Sequence, residues 1–238
     1  MPGIWSTIAA SAVHAGHRLL VPACLGCGAR GDDLAIGASA ALEPLDLCAD
    51  CLADWPRAGP VRVAPFALAV CPWLYAWPVD QAIQSLKFRG ERAWARVFGA
   101  LLARERARDA RTSWPDLVVP VPLHTGRLIE RGYNQAADLA RFAARALPLR
   151  CAPGALRRSR ATHEQSALPA AQRSRNVAGA FEASSRLDGL RVALVDDVLT
   201  TGSTVRAAGA ALAAAGASGL ELWVVARSAR RSVRKPSG

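Results

Sequence analysis

Four cysteines and one acidic, hydroxyl-rich turn hold the readable chemistry of this sequence. Cys24-Leu-Gly-Cys27 and Cys48-Ala-Asp-Cys51 are two C-x-x-C pairs with twenty residues between them, a spacing at the edge of that expected for a four-thiolate Zn2+ site. Two residues between thiols let a tight knuckle aim both sulfurs at one ion, and Gly26 and Gly28 are expected to supply the positive φ that such a knuckle uses. Closing both knuckles on one Zn2+ would fold a segment too small to have its own core. Four protein ligands leave no open position for catalysis at the metal. A redox C-x-x-C and buried free thiols are the alternatives, and two pairs in register argue against both. Cys71 and Cys151 lie in apolar surroundings and read as small core residues.

The second constellation is Val192-Ala-Leu-Val195-Asp196-Asp197-Val-Leu-Thr200-Thr201-Gly202-Ser203-Thr204, which runs strand, acidic pair, hydroxyl-rich turn, helix. Thr200, Thr201, Gly202, Ser203 and Thr204 bring backbone N–H groups and hydroxyls to a helix N-terminus. There the dipole favours a phosphate, and Gly202 lets the backbone approach it closely. Asp196 and Asp197 are acceptors placed where ribose hydroxyls or a phosphate-bound Mg2+ would lie. No Gly-Lys-Ser/Thr follows, so the turn is not a Walker loop. The acids could merely cap the turn, but two aspartates ending a core strand are costly without a ligand.

The elements that must position these residues alternate. An apolar stretch over 67–77 predicts a strand, 79–88 and 91–108 predict helices, and 117–119 a short buried strand. Residues 128–147 predict one helix, 192–195 a strand, 205–215 an alanine-rich helix stopped by Gly216, and 220–226 a last strand. Short apolar strands separated by helices mean a parallel sheet covered on both faces, with ligands beyond the carboxyl ends of the strands. Pro56, Gly59, Pro60 and Pro65 read as a linker. The expected division is a metal module over 1–60, opened by a short helix through Ile4, Ile8, Val13, Leu19 and Leu20, and an α/β domain over 61–238. His14 and His17 read as surface histidines rather than further ligands.

The 238 residues, 51% hydrophobic and 21% charged, exclude disorder as the whole description. Thirty Lys and Arg against nineteen Asp and Glu give a net charge of +11, which suggests a polyanionic partner. The excess is almost entirely arginine, and a genome biased toward the codons of Arg and Ala would produce it as well. Residues 1–60 hold three arginines against six acids, leaving 27 basic and 13 acidic residues in 61–238; the net charges are −3 and +14. No apolar run approaches the roughly 18 residues of a membrane span, and no signal peptide is recognisable. The expectation is a cytoplasmic chain without membrane insertion, its thiols reduced.

The run from Val192 to Thr204 resembles the phosphoribosyl-pyrophosphate motif of type I phosphoribosyltransferases. Pro120-Val-Pro122, Arg127-Leu-Ile-Glu-Arg131-Gly-Tyr133-Asn-Gln135, Leu86-Lys87-Phe88-Arg89-Gly90, and Gln165–Leu168 with Arg175, Asn176 and Phe181 resemble the ComF competence family. With the cysteine module, the match covers nearly the whole chain. The resemblance implies an α/β, type I phosphoribosyltransferase-like parallel sheet flanked by helices and preceded by a small four-cysteine zinc ribbon. It further implies that Asp196 and Asp197 hold the ribose hydroxyls, as catalytic residues, while Val195 and the turn 200–204 belong to the phosphoribosyl pyrophosphate site. The implied setting is the handling of incoming single-stranded DNA in natural transformation, or the use of DNA as a nutrient, with competence proteins as partners.

Arg127 or Arg131 could neutralise a pyrophosphate bidentately. Lys87 stands out in a chain whose only other lysine is Lys235; a compact ammonium suits a phosphate. Helix-surface charge is the alternative for all three. Residues 157–176, with Arg157, Arg158, Arg160 and His163, read as a basic loop able to close over a ligand; a solvated loop is the alternative. The tail from Arg227 reads as solvated, with a nonspecific nucleic-acid contact as the alternative. Transfer of a ribosyl group needs Mg2+ and basic groups at the departing pyrophosphate and acids beside an oxocarbenium-like ribose. The acceptor is open. The position of the purine-contacting aspartate of 6-oxopurine phosphoribosyltransferases is here Thr200, which counts against nucleobase salvage of hypoxanthine or guanine. Tyr133, Trp73 and Trp77 are as readily core residues as a base pocket. Two functions stand: a glycosyltransferase with an unknown acceptor, or a non-catalytic single-stranded DNA-binding protein that uses the site for ligand recognition.

Overall fold

The apolar runs become parallel strands because helices cover both of their faces. The computed structural model describes residues 23–30, 45–109, 113–159 and 179–228. The expected N-terminal helix with His14 and His17, the basic segment from 160 to 176 and residues 229–238 of the expected tail lie outside them, whereas Arg227, expected to open that tail, closes the last strand of the sheet. Contacts divide the chain into two compact units, 1–54 and 55–238.

In the first unit an antiparallel bridge joins Ala23 to Arg30 around the first knuckle, and the second knuckle opens the five-residue helix α1 (Ala49–Ala53). Leu45 and Leu47 are its buried aliphatic side chains among the described residues.

The second unit runs β1 (Leu68–Val70), β2 (Trp73–Leu74), α2 (Val79–Phe88), α3 (Ala93–Ala107), β3 (Leu117–Pro120), α4 (Thr125–Arg131), α5 (Gln135–Ala146), β4 (Arg150–Cys151), β5 (Leu156–Arg158), β6 (Phe181–Ala183), β7 (Arg191–Leu199), α6 (Ser203–Ala214) and β8 (Gly219–Arg227). Among the described residues, six strands form one sheet in the order β1-β8-β7-β3-β4, with β2 also on β8, and every pairing is parallel. The helix α6 covers one face through Val205, Ala208 and Leu212, against Val192, Leu194, Leu222 and Val224. On the other face α3 and α5 pack together so closely that a Cβ on Gly99 would lie 2.6 Å from Phe142 Cβ. Trp94, Val97, Phe98, Leu101 and Leu102 of α3 are buried, as their helical spacing predicts.

Three expectations change. The single strand over 67–77 is broken at Cys71-Pro72, since proline cannot donate to a ladder. The single helix over 128–147 is two helices: Gly132 ends α4 in the left-handed region at φ 77°, and the Asn134 side chain caps α5 by accepting from Ala136 N at 3.0 Å. Arg157 and Arg158 do not begin a loop but lie in β5, paired antiparallel with β6.

Candidate functional site

The strand order itself points to a crevice. From β3 the chain moves outward to β4, and from β7 it moves outward the other way to β8, so the connection reverses between β3 and β7. Open α/β sheets bind ligands at such a switch point, beyond the carboxyl ends of the strands. Here the exits of β3 and β7 are tied together, with Val121 N donating to Val195 O at 2.8 Å. Val195 is fully buried, so its carbonyl rather than its side chain serves this end of the sheet.

Successive side chains of a strand face opposite sides, and β7 uses this to separate the two acids. Asp196 turns toward α6 and lines an open pocket with Val198, Leu199, Thr200 and the first turn of α6. Asp197 is 5% exposed and forms an ion pair with Lys87 from the last turn of α2. Its other carboxylate oxygen accepts from Val198 N at 3.0 Å, while its own N–H donates to Asp196 Oδ1 at 2.9 Å.

The turn between β7 and α6 is shaped by Gly202, which caps the helix at φ 76°, a region open to glycine and costly for other residues. Thr201 Oγ1 and Ser203 Oγ lie 3.0 Å apart, and Ser203 N donates to Thr201 Oγ1 at 3.4 Å. Arg206 folds back over this turn: Nη2 donates to Thr201 O at 2.7 Å, and a Cβ on Gly202 would lie 2.7 Å from Nη1. Arg206 is outside the residues that the sequence motifs single out. Its signal was its place one helical turn beyond Gly202.

Around Lys87 the chain after β3 grips α2. The Tyr133 hydroxyl donates to Leu86 O, and the Arg131 guanidinium lies 5.1 Å from the centre of the Phe88 ring. Arg131 Nη1 also donates to Gln135 Oε1 at 2.7 Å, and Asn134 Nδ2 donates to Val121 O at 3.1 Å. Arg92 lies 5.5 Å from the centre of the Tyr133 ring and pairs with Asp138 at 2.8 Å. Lys87, Arg131 and the acidic pair are thus linked through α2 and the loop after β3. Arg127, half-buried one helical turn before Arg131, lies 3.9 Å from Glu130. Trp73 is fully buried as a core reading requires, but Trp77 is 73% exposed and is no core residue.

In the first unit the four cysteine sulfurs all lie within 4.8 Å of one another. Cys27 Sγ and Cys48 Sγ are 3.8 Å apart, about the edge of a tetrahedron with metal–sulfur bonds of about 2.3 Å. Cys24 Sγ accepts from Gly26 N at 3.4 Å and Cys48 N at 3.3 Å. Burial alone would raise the Cys24 thiol, but N–H donors from Cys48, Cys27 and Gly26 outweigh it and bring it down to about 6. Burial and the neighbouring thiols push Cys51 up. One clustered thiol is thus poised to ionise, as a thiolate-binding metal requires. Gly28 has the expected positive φ, whereas Gly26 is needed for room: a Cβ there would lie 2.9 Å from Cys51 Sγ.

A family model for the phosphoribosyl transferase domain matches residues 132–237. DNA utilization protein YhgH of Escherichia coli K12 is 36% identical over 157 residues, covering 65% of this chain and 69% of that protein. Competence protein F of Haemophilus influenzae is 33% identical over 160 residues, covering 65% and 70%. The chain belongs to the ComF family. Among solved structures, glutamine phosphoribosylpyrophosphate amidotransferase from B. subtilis has 23% identity and a TM-score of 0.37, over 55% of this ComF chain and 25% of its own. A purine phosphoribosyltransferase from Pyrococcus horikoshii has 19% identity and a TM-score of 0.33, over 67% and 77%. The fold itself is that of a parallel sheet flanked by helices, carrying a phosphoribosyl transferase domain. Among the described residues no helix is long and apolar enough to cross a membrane.

Proposed function

We propose that this ComF protein binds phosphoribosyl pyrophosphate at the β3/β7 crevice and transfers or releases its phosphoribosyl group in the service of DNA utilisation. The observation that supports this most is the junction of β7 with α6. It brings Asp196 to a glycine-shaped turn of hydroxyls and N–H groups around one pocket, with Asp197 next to it on the strand and paired with Lys87. In this reading Thr200, Thr201, Gly202, Ser203 and Thr204 take the 5′-phosphate at the positive end of α6. Asp196 and Asp197 hold the ribose hydroxyls and stabilise positive charge developing at the ribose. Lys87 and Arg131 meet the pyrophosphate. The carboxylates and the ligand's own phosphates are the hard oxygen donors that Mg2+ takes, and the ion would neutralise the leaving group. Cys24, Cys27, Cys48 and Cys51 would hold a structural Zn2+. The division is a zinc module over 1–60 and a phosphoribosyl domain over 61–238, in the cytoplasm.

Calorimetry with phosphoribosyl pyrophosphate and Mg2+ tests the site: wild type gives heat and Asp196→Asn/Asp197→Asn gives none, while equal heats for both refute it. Pyrophosphate release measured across nucleobases and single-stranded DNA then identifies an acceptor. The second reading, a non-catalytic single-stranded DNA-binding protein, is favoured by the net +14 of residues 61–238 and by relatives named for DNA utilisation. It requires affinity for single strands that falls steeply with salt.

A further inference from the structure

We propose that Lys87 is a specificity-determining counter-ion that makes the site accept a ribose phosphate only when the ligand also carries a diphosphate. The inference rests on the proposed phosphoribosyl pyrophosphate reading. Asp197 is 5% exposed, and a carboxylate so buried is costly without a positive partner. Lys87 supplies that partner in the ligand-free protein, and Val198 N occupies the other oxygen. A ribose hydroxyl or a cation that reaches Asp197 competes with the Lys87 ammonium for this buried carboxylate. The displaced ammonium, on a side chain 20% exposed, then needs an anion within its own reach.

The surroundings set that reach. The residues on either side of Lys87 are both held by the chain after β3, Leu86 through the Tyr133 hydroxyl and Phe88 under the Arg131 guanidinium. The backbone of this last turn of α2 is fixed, so Lys87 moves by swinging its four-carbon stem. Arg131 places a second cation on the same last turn of α2, over the Phe88 ring. A diphosphate between Arg131 and Lys87 receives the ammonium that leaves Asp197, so one ion pair is exchanged for another. Ribose 5-phosphate offers nothing in return, and its binding strands the lysine.

The test compares phosphoribosyl pyrophosphate with ribose 5-phosphate, each with Mg2+, on wild type and Lys87→Met by calorimetry. Wild type should strongly prefer the diphosphate. In Lys87→Met that preference should collapse on the order of tenfold or more, the diphosphate binding more weakly and ribose 5-phosphate as well or better. Equal losses for both ligands would reduce Lys87 to a scaffold residue and overturn the proposal, as would two unchanged affinities. A second readout needs no variant. The chain has two lysines, Lys87 and Lys235, so lysine acetylation followed by mass spectrometry reads Lys87 directly, with Lys235 as internal reference. Lys87 should be protected in the free protein and with phosphoribosyl pyrophosphate, and become more reactive with saturating ribose 5-phosphate. Identical reactivity in all three states overturns the exchange. Wild type that binds both ligands equally refutes this inference and leaves the phosphoribosyl reading standing, whereas wild type that binds neither refutes both.

Discussion

The two units solve the same problem, making a short stretch of chain rigid, by opposite means. In the first, the described residues offer two buried leucines and four clustered thiols, and in the proposed reading a shared ion supplies the order. In the second, a sheet buried on both faces supplies order from apolar burial, and polar groups can be spent on a site. The difference teaches where charge is tolerated. The second unit even buries Arg106, held by Glu221 at 2.7 and 2.9 Å with Trp223 Nε1 donating to the same carboxylate.

The contrast breaks most visibly if the metal is withdrawn. Chelation, or Cys48→Ser, should remove metal and structure from the first unit, because metal affinity there is folding free energy of about 10–16 kcal/mol in small zinc domains. The second unit should keep its thermal transition and circular dichroism. A Cys48→Ser protein that retains stoichiometric metal would erase the distinction. Next in size is Arg106→Ala, which leaves Glu221 buried without its cation. It should cost about 3–5 kcal/mol in denaturant unfolding of the second unit, with metal content untouched. Gly202→Ala forces a side chain into the left-handed region and against Arg206. A loss of about 1–2 kcal/mol is expected, along with weaker phosphoribosyl pyrophosphate binding; unchanged affinity would argue that the turn does not touch the ligand.

The last effect concerns thiols alone and is confined to alkaline pH. Burial pushes Cys71 up to about 12, against about 9 when unfolded. A folded value raised in this way stabilises the fold below the unfolded value and is lost as pH climbs from about 9 toward 12. Stability of the second unit should decline over that window, less so in Cys71→Ala. At pH 8 iodoacetamide should spare Cys71 whether or not chelator is present, while chelator opens the four N-terminal thiols to it.

Sequence reading succeeded where one local rule decided the outcome. Helix α2 keeps its expected bounds, Val79–Phe88, and the runs at 117, 192 and 220 are strands because apolar stretches of that length must be buried on both faces. The cysteine spacing sufficed to foresee four sulfurs in one cluster. It failed where two local rules competed. Helical periodicity ran through Gly132 and Asn134, but their capping chemistry won. The acidic pair looked like the end of a strand, yet β7 continues through both acids to Leu199, since β8 still pairs with Asp196 and Val198. The Lys87 to Asp197 ion pair spans 110 positions and exists only because the sheet brings α2 to the end of β7. No local pattern encodes it.

The placement of the two acids on opposite sides of β7 limits how this protein can change length. Losing or gaining one residue between Arg191 and Val195 would exchange their sides. It would aim one carboxylate away from Lys87 and send aliphatic neighbours toward the wrong helices. Chains that lengthen or shorten here must do so by two residues or not at all, whereas the loop after β3 is under no such parity. Related sequences compared by length should therefore vary freely before Tyr133 and keep a fixed count into Asp196.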